Sequence, residues 1–373
     1  MLINYPYRKY RKNGFFDKGR IKYAQSANHA AMGKKAAVIN GDGTGPELVN
    51  AVVQVLEACN TQIELIRCEA GSEQWEKNGG ATYIPDSTSK IMDESDACYK
   101  GPTTTIPSPD APRSVAVSTR QKFELYANVR PIKTYDRLSP NKKLDFVCFR
   151  EATEGLYAGI EFETSEDSAI AIRKITRKGC KRIVDSAFEW AKKYGLKKVT
   201  AITKRNILKI TDGIFWSEVE RAAKENPGIE IEEYYIDNMT QQLVKNPERF
   251  NNSVLLSTNL FMDIISECAS GSIGSIGNVY SANIGDNYAM FEPAHGSAPK
   301  YKGMDKVNPT AAILSGAWMA EYLDEPEIKN AIFKATGEVI NEGKFVTYDI
   351  GGNAKSSEMT NAIAKRSSEL LKK

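Results

Sequence analysis

Histidine is almost missing from this chain, with His29 and His295 the only two in 373 residues. No CxxC pair is present, and Cys59, Cys68, Cys98, Cys148, Cys180 and Cys268 stand apart from one another. A zinc site built from these side chains is therefore not expected, and the scattered thiols read as reduced, as in a cytoplasmic compartment. No apolar run approaches the roughly 18 residues that span a bilayer, which argues against a membrane protein. Internal repeats and low-complexity segments are also lacking. What is there, 41% hydrophobic and 26% charged residues, reads as a soluble globular protein long enough for two domains.

Acidic residues are scarce in one place only. Residues 1–35 carry nine Lys and Arg against the single acid Asp17, so +8 sits there and −5 in the remaining chain, within an overall +3. Tyr5, Tyr7, Tyr10, Phe15, Phe16 and Tyr23 are interleaved with these cations. Such an arm, residues 1–34, could grip nucleic acid or an anionic surface, serve as an organelle-targeting peptide, or be a solvated extension before a start at Met32.

The stretch Ile202 to Phe215, ITKRNILKITDGIF, is the one around which the rest is organised. It puts Lys204 at the end of the β-branched run Val199–Thr203, just before Ile207, Ile210 and Ile214 at helical spacing. A lysine where a strand gives way to a helix lies on the edge that parallel α/β folds use for ligands. Upstream, the strand Ala36–Asn40 leads through GDGTGPE into a helix ending near Ala58, with Pro46 suited to its first turn. The third glycine of a dinucleotide fingerprint would fall on Pro46, so this turn alone does not mark a cofactor. Alternating strands and helices imply a mostly parallel sheet with helices on both faces.

A loop from Lys100 to about Ser114 is followed by Arg120, Arg130 and Arg150, each near an element end. Together they could hold a substrate with several carboxylates; separate surface salt bridges are the alternative. Tyr157, between Gly155 and Gly159, could donate a proton if a nearby cation lowered its pKa. A strand from Ile229 to Ile236 ends at Asp237. Asp263 and Glu267, four apart, share a helix face, and with Asp237 could supply hard oxygen ligands for Mg²⁺ or Mn²⁺. The small-residue loop from Glu292 to Tyr301 carries a cation and suits a phosphate-bearing ligand.

Seven stretches agree in order and spacing with one family: NGDGTGPE, KFELYANVRP, FREATEGLYAGIEF, TKRNILKITDGIF, YIDNM, NLFMDIISE and HGSAPKYKGMDKVNP. From about Lys35 onward the chain resembles the β-decarboxylating dehydrogenases, which include isocitrate, homoisocitrate and 3-isopropylmalate dehydrogenases. The resemblance implies an α/β fold with a large doubly wound domain (35–125 and 275–373) and a smaller α/β domain (126–274) bearing a dimer clasp. It implies a metal-dependent oxidation and decarboxylation of isocitrate to 2-oxoglutarate and CO₂ by a homodimer with shared active sites. Homoisocitrate is the alternative substrate, and nucleic-acid binding through the arm a distant alternative.

By the same resemblance Arg120, Arg130 and Arg150 form the carboxylate clamp, with Ser114 a further contact. Lys204 is the base that takes the hydroxyl proton, Tyr157 the acid that protonates the enol, and Asp237, Asp263 and Glu267 the metal carboxylates. His295, Gly296, Asn308 and Tyr348 fit the cofactor site, where Lys300 and Tyr301 favour NADP over NAD. Four departures stand out: Gly352 where the NADP pattern has arginine, Ala116 where the isocitrate pattern has asparagine, Glu267 where the family usually has aspartate, and Met262 where a glycine is common.

Overall fold

The computed structural model describes residues 33–139 and 143–372, so Met32 and nearly all of the basic arm lie outside the described residues. The strands are β1 (Lys35–Ile39), β2 (Glu64–Cys68), β3 (Ala97–Lys100), β4 (Ala127–Lys133), β5 (Asp145–Glu151), β6 (Glu161–Ser165), β7 (Ser168–Ala171), β8 (Lys198–Thr203), β9 (Glu230–Tyr235), β10 (Ser253–Ser257), β11 (Tyr280–Ile284) and β12 (Ala289–Pro293). The helices are α1 (Gly45–Ala58), α2 (Ser72–Asn78), α3 (Asp86–Asp93), α4 (Val115–Lys122), α5 (Arg177–Tyr194), α6 (Thr211–Glu225), α7 (Ile236–Lys245), α8 (Asn259–Gly271), α9 (Thr310–Tyr322), α10 (Pro326–Glu342) and α11 (Ser356–Leu371).

Ten strands form one sheet in the order β2-β1-β3-β12-β11-β4-β5-β10-β8-β9, and β6 and β7 form a separate exposed hairpin. Pairing is parallel in both wings but antiparallel at β12–β11, β11–β4 and β4–β5. The two parallel wings therefore run in opposite directions and meet at the antiparallel centre. The sheet is α/β as expected, with more antiparallel character than a simple βα alternation implies. The wing β2-β1-β3-β12-β11 uses residues before 125 and after 275, and the other wing uses residues between.

Side chains alternate across a strand, so each strand feeds two cores. Val38, Val129, Val147, Phe149, Ala201, Leu256, Ala282 and Phe291 join one continuous core beneath α1, α5, α6, α9, α10 and α11. On the opposite face the apolar residues fall into two separate groups. Ala37, Ile39, Cys98 and Met290 pack in one wing, and Phe146, Cys148, Ile202 and Leu255 in the other. Between these groups the sheet face is polar, and the arginine cluster described below lies there.

Helix ends follow local chemistry. Thr176 caps α5 by accepting a hydrogen bond from Gly179 N (3.0 Å), and Gly195 closes that helix at φ 68°. Pro46 sits in the first turn of α1 and Pro326 in that of α10. Two sequence expectations are corrected. Helix α6 begins at Thr211, not near Ile207; Ile207 and Ile210 lie in the preceding turn, 68% and 81% exposed, so their helical spacing does not mark a buried face. Asp237 does not end a strand but stands in the first turn of α7, because β9 stops at Tyr235.

Candidate active site

The polar seam is set by register. Asn283 of β11 pairs with Asn128 of β4, Asn128 with Arg150 of β5, and Arg150 with Ser257 of β10. These residues occupy one row across four strands and face away from the continuous core. Asn128 Nδ2 donates to Asn283 Oδ1 (2.9 Å), and Asn283 Nδ2 donates to Glu292 Oε1 (2.7 Å). Side-chain amides that satisfy one another in this way can be buried at little cost.

Into this row the structure brings all three sequence-predicted arginines, each buried. Arg120, on the last turn of α4, donates from Nε to Asn283 Oδ1 (2.8 Å) and from Nη2 to Glu292 Oε1 (3.3 Å). Arg130 donates to Asn128 (2.8 Å), Ser266 (3.0 Å) and Glu267 (2.8 Å), and reaches Asp263 at 3.4 Å. Arg150 donates from Nε to Asn259 Oδ1 (2.8 Å) and from Nη1 to Asp263 Oδ1, but its buried Nη2 has no partner. Burial, with the neighbouring charges of Arg120 and Arg130, pushes the Arg150 pKa down to about 10. The reading of these residues as separate surface pairs is thereby excluded.

Tyr157 reaches the same cluster. It sits on a single helical turn between Gly155 (φ 76°) and Gly159 (φ 67°), backbone values that suit glycine, and donates to Asp263 Oδ2 (2.5 Å). The Arg150 guanidinium lies 4.8 Å from its ring centre. The expectation that a cation lowers the Tyr157 pKa is overturned: burial and the hydrogen bond to Asp263 raise it and outweigh Arg150. Tyr157 is therefore a protonated donor at neutral pH. Asp263 has its pKa pushed up by burial, but Arg150 and Arg130 outweigh this and hold it below the usual range, so it is ionised. Glu267, one turn on in α8, is raised by burial despite Arg130.

Lys204 and Asp237 form a second group. Lys204 Nζ donates to Asp237 Oδ1 (2.7 Å), while buried Asp212 anchors the Lys204 backbone N–H (2.6 Å). This hydrogen bond is the main cause of a lowered Asp237 pKa. Among the described residues no hydrogen bond or ion pair joins this pair to the arginine cluster, and no three His, Cys, Asp or Glu are gathered as a metal site. Asp263 and Glu267 thus offer hard oxygen donors in the polar seam, and Asp237 is held elsewhere on the same chain. Ser114 caps α4, accepting from Val117 N (3.2 Å) six residues before Arg120.

The third group is the expected cofactor loop. Lys300 and Tyr301 lie on the turn Pro299–Tyr301, with the Lys300 ammonium 4.9 Å from the Tyr301 ring centre. Tyr348 comes alongside, its ring centre 6.2 Å from that of Tyr301. Asn308 donates to Asp349 and Asn278 (both 3.0 Å). Burial lowers the His295 pKa, keeping it neutral, and its Nε2 is shielded without a partner. The Cβ of a residue replacing Gly296 would meet nothing within 4 Å, so backbone there is open to an approaching ligand.

Sequence reasoning missed Lys100, Asn128, Asn283 and Glu292. Lys100 Nζ pairs with Glu292 Oε2 at 2.8 Å, both side chains buried. Burial pushes the Glu292 pKa up, but Lys100 and Arg120 bring it down to about 2. The available signal was four polar residues at strand positions whose neighbours are apolar, which a count by strand period would have found.

Three buried guanidinium groups gathered in a polar seam, with an exposed lysine-tyrosine turn elsewhere on the same chain, are chemistry suited to anionic ligands. The comparisons agree, and the chain belongs to the isocitrate/isopropylmalate dehydrogenase family, whose match spans residues 35–363. It is 42% identical over 339 residues to the 3-isopropylmalate/3-methylmalate dehydrogenase of Methanocaldococcus jannaschii, covering 89% of this chain and 98% of that protein. It is 40% identical to the NADP isocitrate dehydrogenase of Thermus thermophilus, over 88% of this chain and 67% of that one. The crystal structure of isocitrate dehydrogenase from Methylococcus capsulatus superposes with a TM-score of 0.85 at 41% identity, covering 90% of this chain and 99% of that one. The chain is thus a β-decarboxylating dehydrogenase.

Proposed function

We propose that this enzyme oxidises and decarboxylates isocitrate to 2-oxoglutarate and CO₂ with NADP as hydride acceptor. Relatives of nearly equal identity carry different substrate names, so the reading rests on the arginine seam. The observation that carries it is the unpartnered, buried Nη2 of Arg150 beside Arg120 and Arg130. A buried donor left without an acceptor is costly, and a substrate carboxylate relieves that cost. A substrate with three carboxylates uses this field more fully than one ending in an apolar branch. The segment from Ser114 to Arg120 also contains no leucine to line an apolar pocket.

Arg120, Arg130 and Arg150 bind and orient the carboxylates. Lys204 takes the hydroxyl proton at Nζ, and the Tyr157 hydroxyl returns a proton to the enol carbon. Asp263 and Glu267, with Asp237 of a second copy, would hold Mg²⁺ or Mn²⁺, which would supply Lewis-acid polarisation of the substrate oxygen. Because Lys204 and Asp237 stand apart from the cluster, they serve the site of a second copy in a homodimer. The exposed Ile207 and Ile210 beside Lys204 give that contact an apolar surface. Lys300 and Tyr301 favour NADP over NAD. No described helix is long and apolar enough to cross a membrane, and with six free cysteines a cytoplasmic location fits the chain.

Homoisocitrate is the second reading, because partly buried Ala116 leaves space where a polar side chain would make a contact. The test is the initial rate of nicotinamide reduction with Mg²⁺ and isocitrate, homoisocitrate or 3-isopropylmalate, each with NADP and NAD. Fastest turnover of isocitrate with NADP is expected. Turnover of homoisocitrate alone would move the assignment to the second reading, and turnover of 3-isopropylmalate alone would overturn both.

A further inference from the structure

Three lysines lie on the loop that carries Tyr301, and their ion pairing differs. Lys302 is neutralised by Glu73. Among the described residues, neither Lys300 nor Lys306 has a carboxylate partner. Lys300 covers the Tyr301 ring. Lys306 reaches both aromatic rings, its Nζ 5.6 Å from the centre of Tyr301 and 4.6 Å from that of Tyr348. Two unneutralised ammonium groups therefore lie against two phenol rings at an exposed surface. The hydrogen bond from Tyr348, then the Lys300 charge, and more weakly Lys306, hold the Tyr301 pKa down.

Position 352 bears on the same place. A Cβ on Gly352 would stand 2.0 Å from the carbonyl oxygen of Val346. The backbone there is fixed: Gly352 N donates to Thr347 O (3.0 Å), Ala354 N to Val346 O (3.0 Å), and Arg137 to the carbonyls of Ile350 (2.7 Å) and Gly351 (3.1 Å). Position 352 cannot carry an arginine without moving this loop. The charge expected from position 352 is absent, and Lys306 supplies a charge at the same tyrosine pair.

We propose that Lys306 is a specificity residue for the cofactor, the second cation on the 2′-phosphate of NADP, which makes an arginine at 352 unnecessary. The inference rests on the NADP reading above. A phosphate monoester is a dianion with three acceptor oxygens, and Lys300, Lys306 and the two hydroxyls offer matching donors. Lysine suits the role because its ammonium acts as a point charge that needs no planar approach.

The test is calorimetric binding of 2′,5′-ADP and 5′-AMP, which differ by the 2′-phosphate, to the full chain and its variants. Wild type is expected to prefer 2′,5′-ADP by at least about tenfold, as one or two charge contacts supply. Lys306→Met should weaken 2′,5′-ADP about tenfold and leave 5′-AMP within about twofold, with added salt narrowing the difference. Lys306→Arg should retain the preference. If Lys306→Met keeps the full preference while Lys300→Met loses it, Lys306 is wrong and the NADP reading stands. Equal weakening of both ligands would reduce Lys306 to packing against the tyrosines and overturn the proposal. No wild-type preference would overturn the NADP reading, and Lys306 with it.

Discussion

Phe149 and Arg150 are adjacent on β5 and belong to opposite faces of the sheet. Phe149 is fully buried in the continuous core that runs under both wings. Arg150 is nearly as buried, yet it sits in the polar seam that divides the other face, with one nitrogen unpartnered. The first face joins the wings into one unit. The second keeps them apart over the central strands and fills the gap with charge. Burial therefore means stability on one face and readiness for a ligand on the other, and burial alone does not distinguish them.

The largest expected effect tests whether the seam of one chain is catalytically complete. Lys204→Met should lower turnover by about 10³–10⁴-fold, near the upper range for a general acid-base group, with an unchanged melting curve. Near-normal turnover would remove Lys204 as the base. The two neighbours on β5 come next. Phe149→Ala should cost about 3–5 kcal/mol in urea unfolding, the usual result of a large core truncation. Arg150→Met should cost less, about 1–2 kcal/mol, because partly exposed Asp263 keeps Arg130 as a counter-charge and the crowding of three buried like charges is relieved. It should nevertheless lower kcat/KM by about 10²-fold or more, because substrate orientation is lost. Similar stability losses in both variants would end the contrast between the faces.

A smaller effect concerns the proposed cofactor loop, outside the arginine seam. Lys300→Asp should shift the NADP to NAD ratio of kcat/KM by at least about tenfold toward NAD, since a carboxylate repels the 2′-phosphate. An unchanged ratio would remove Lys300 from that role. The smallest effect is on acid stability. Glu292 has its pKa lowered from 4.5 to about 2 in the fold, so its stabilisation is complete above pH 4.5 and is lost as pH falls toward 2. Glu292→Gln should flatten this limb of the melting temperature against pH, and an unaltered slope would contradict the assignment.

Much of this was legible in the chain. The β-branched run before Lys204 and the glycine turn before Pro46 each mark an element because the cause is local. Asp263 and Glu267 share a face because four residues make about one helical turn. Other readings failed where a local pattern had a non-local cause. The isoleucines at 207 and 210 have helical spacing but lie in an exposed turn. Tyr157 has its cation, yet burial and Asp263 outweigh it. Asn128 and Asn283 gave no sign of meeting, because strand register brings together residues 155 positions apart.

The sequence by itself carried the alternation of strands and helices, the family, and the arginines, the lysine-tyrosine pair and the carboxylates as candidates. These follow from residue type and short spacing. Only the tertiary structure decided that the arginines gather in one polar seam, that Glu292 and Lys100 are buried beside Arg120, and that Lys306 stands over Tyr348. Such placements depend on which distant strands pair and in what register. That choice is made by burying the continuous apolar face, and the polar residues opposite are carried with it.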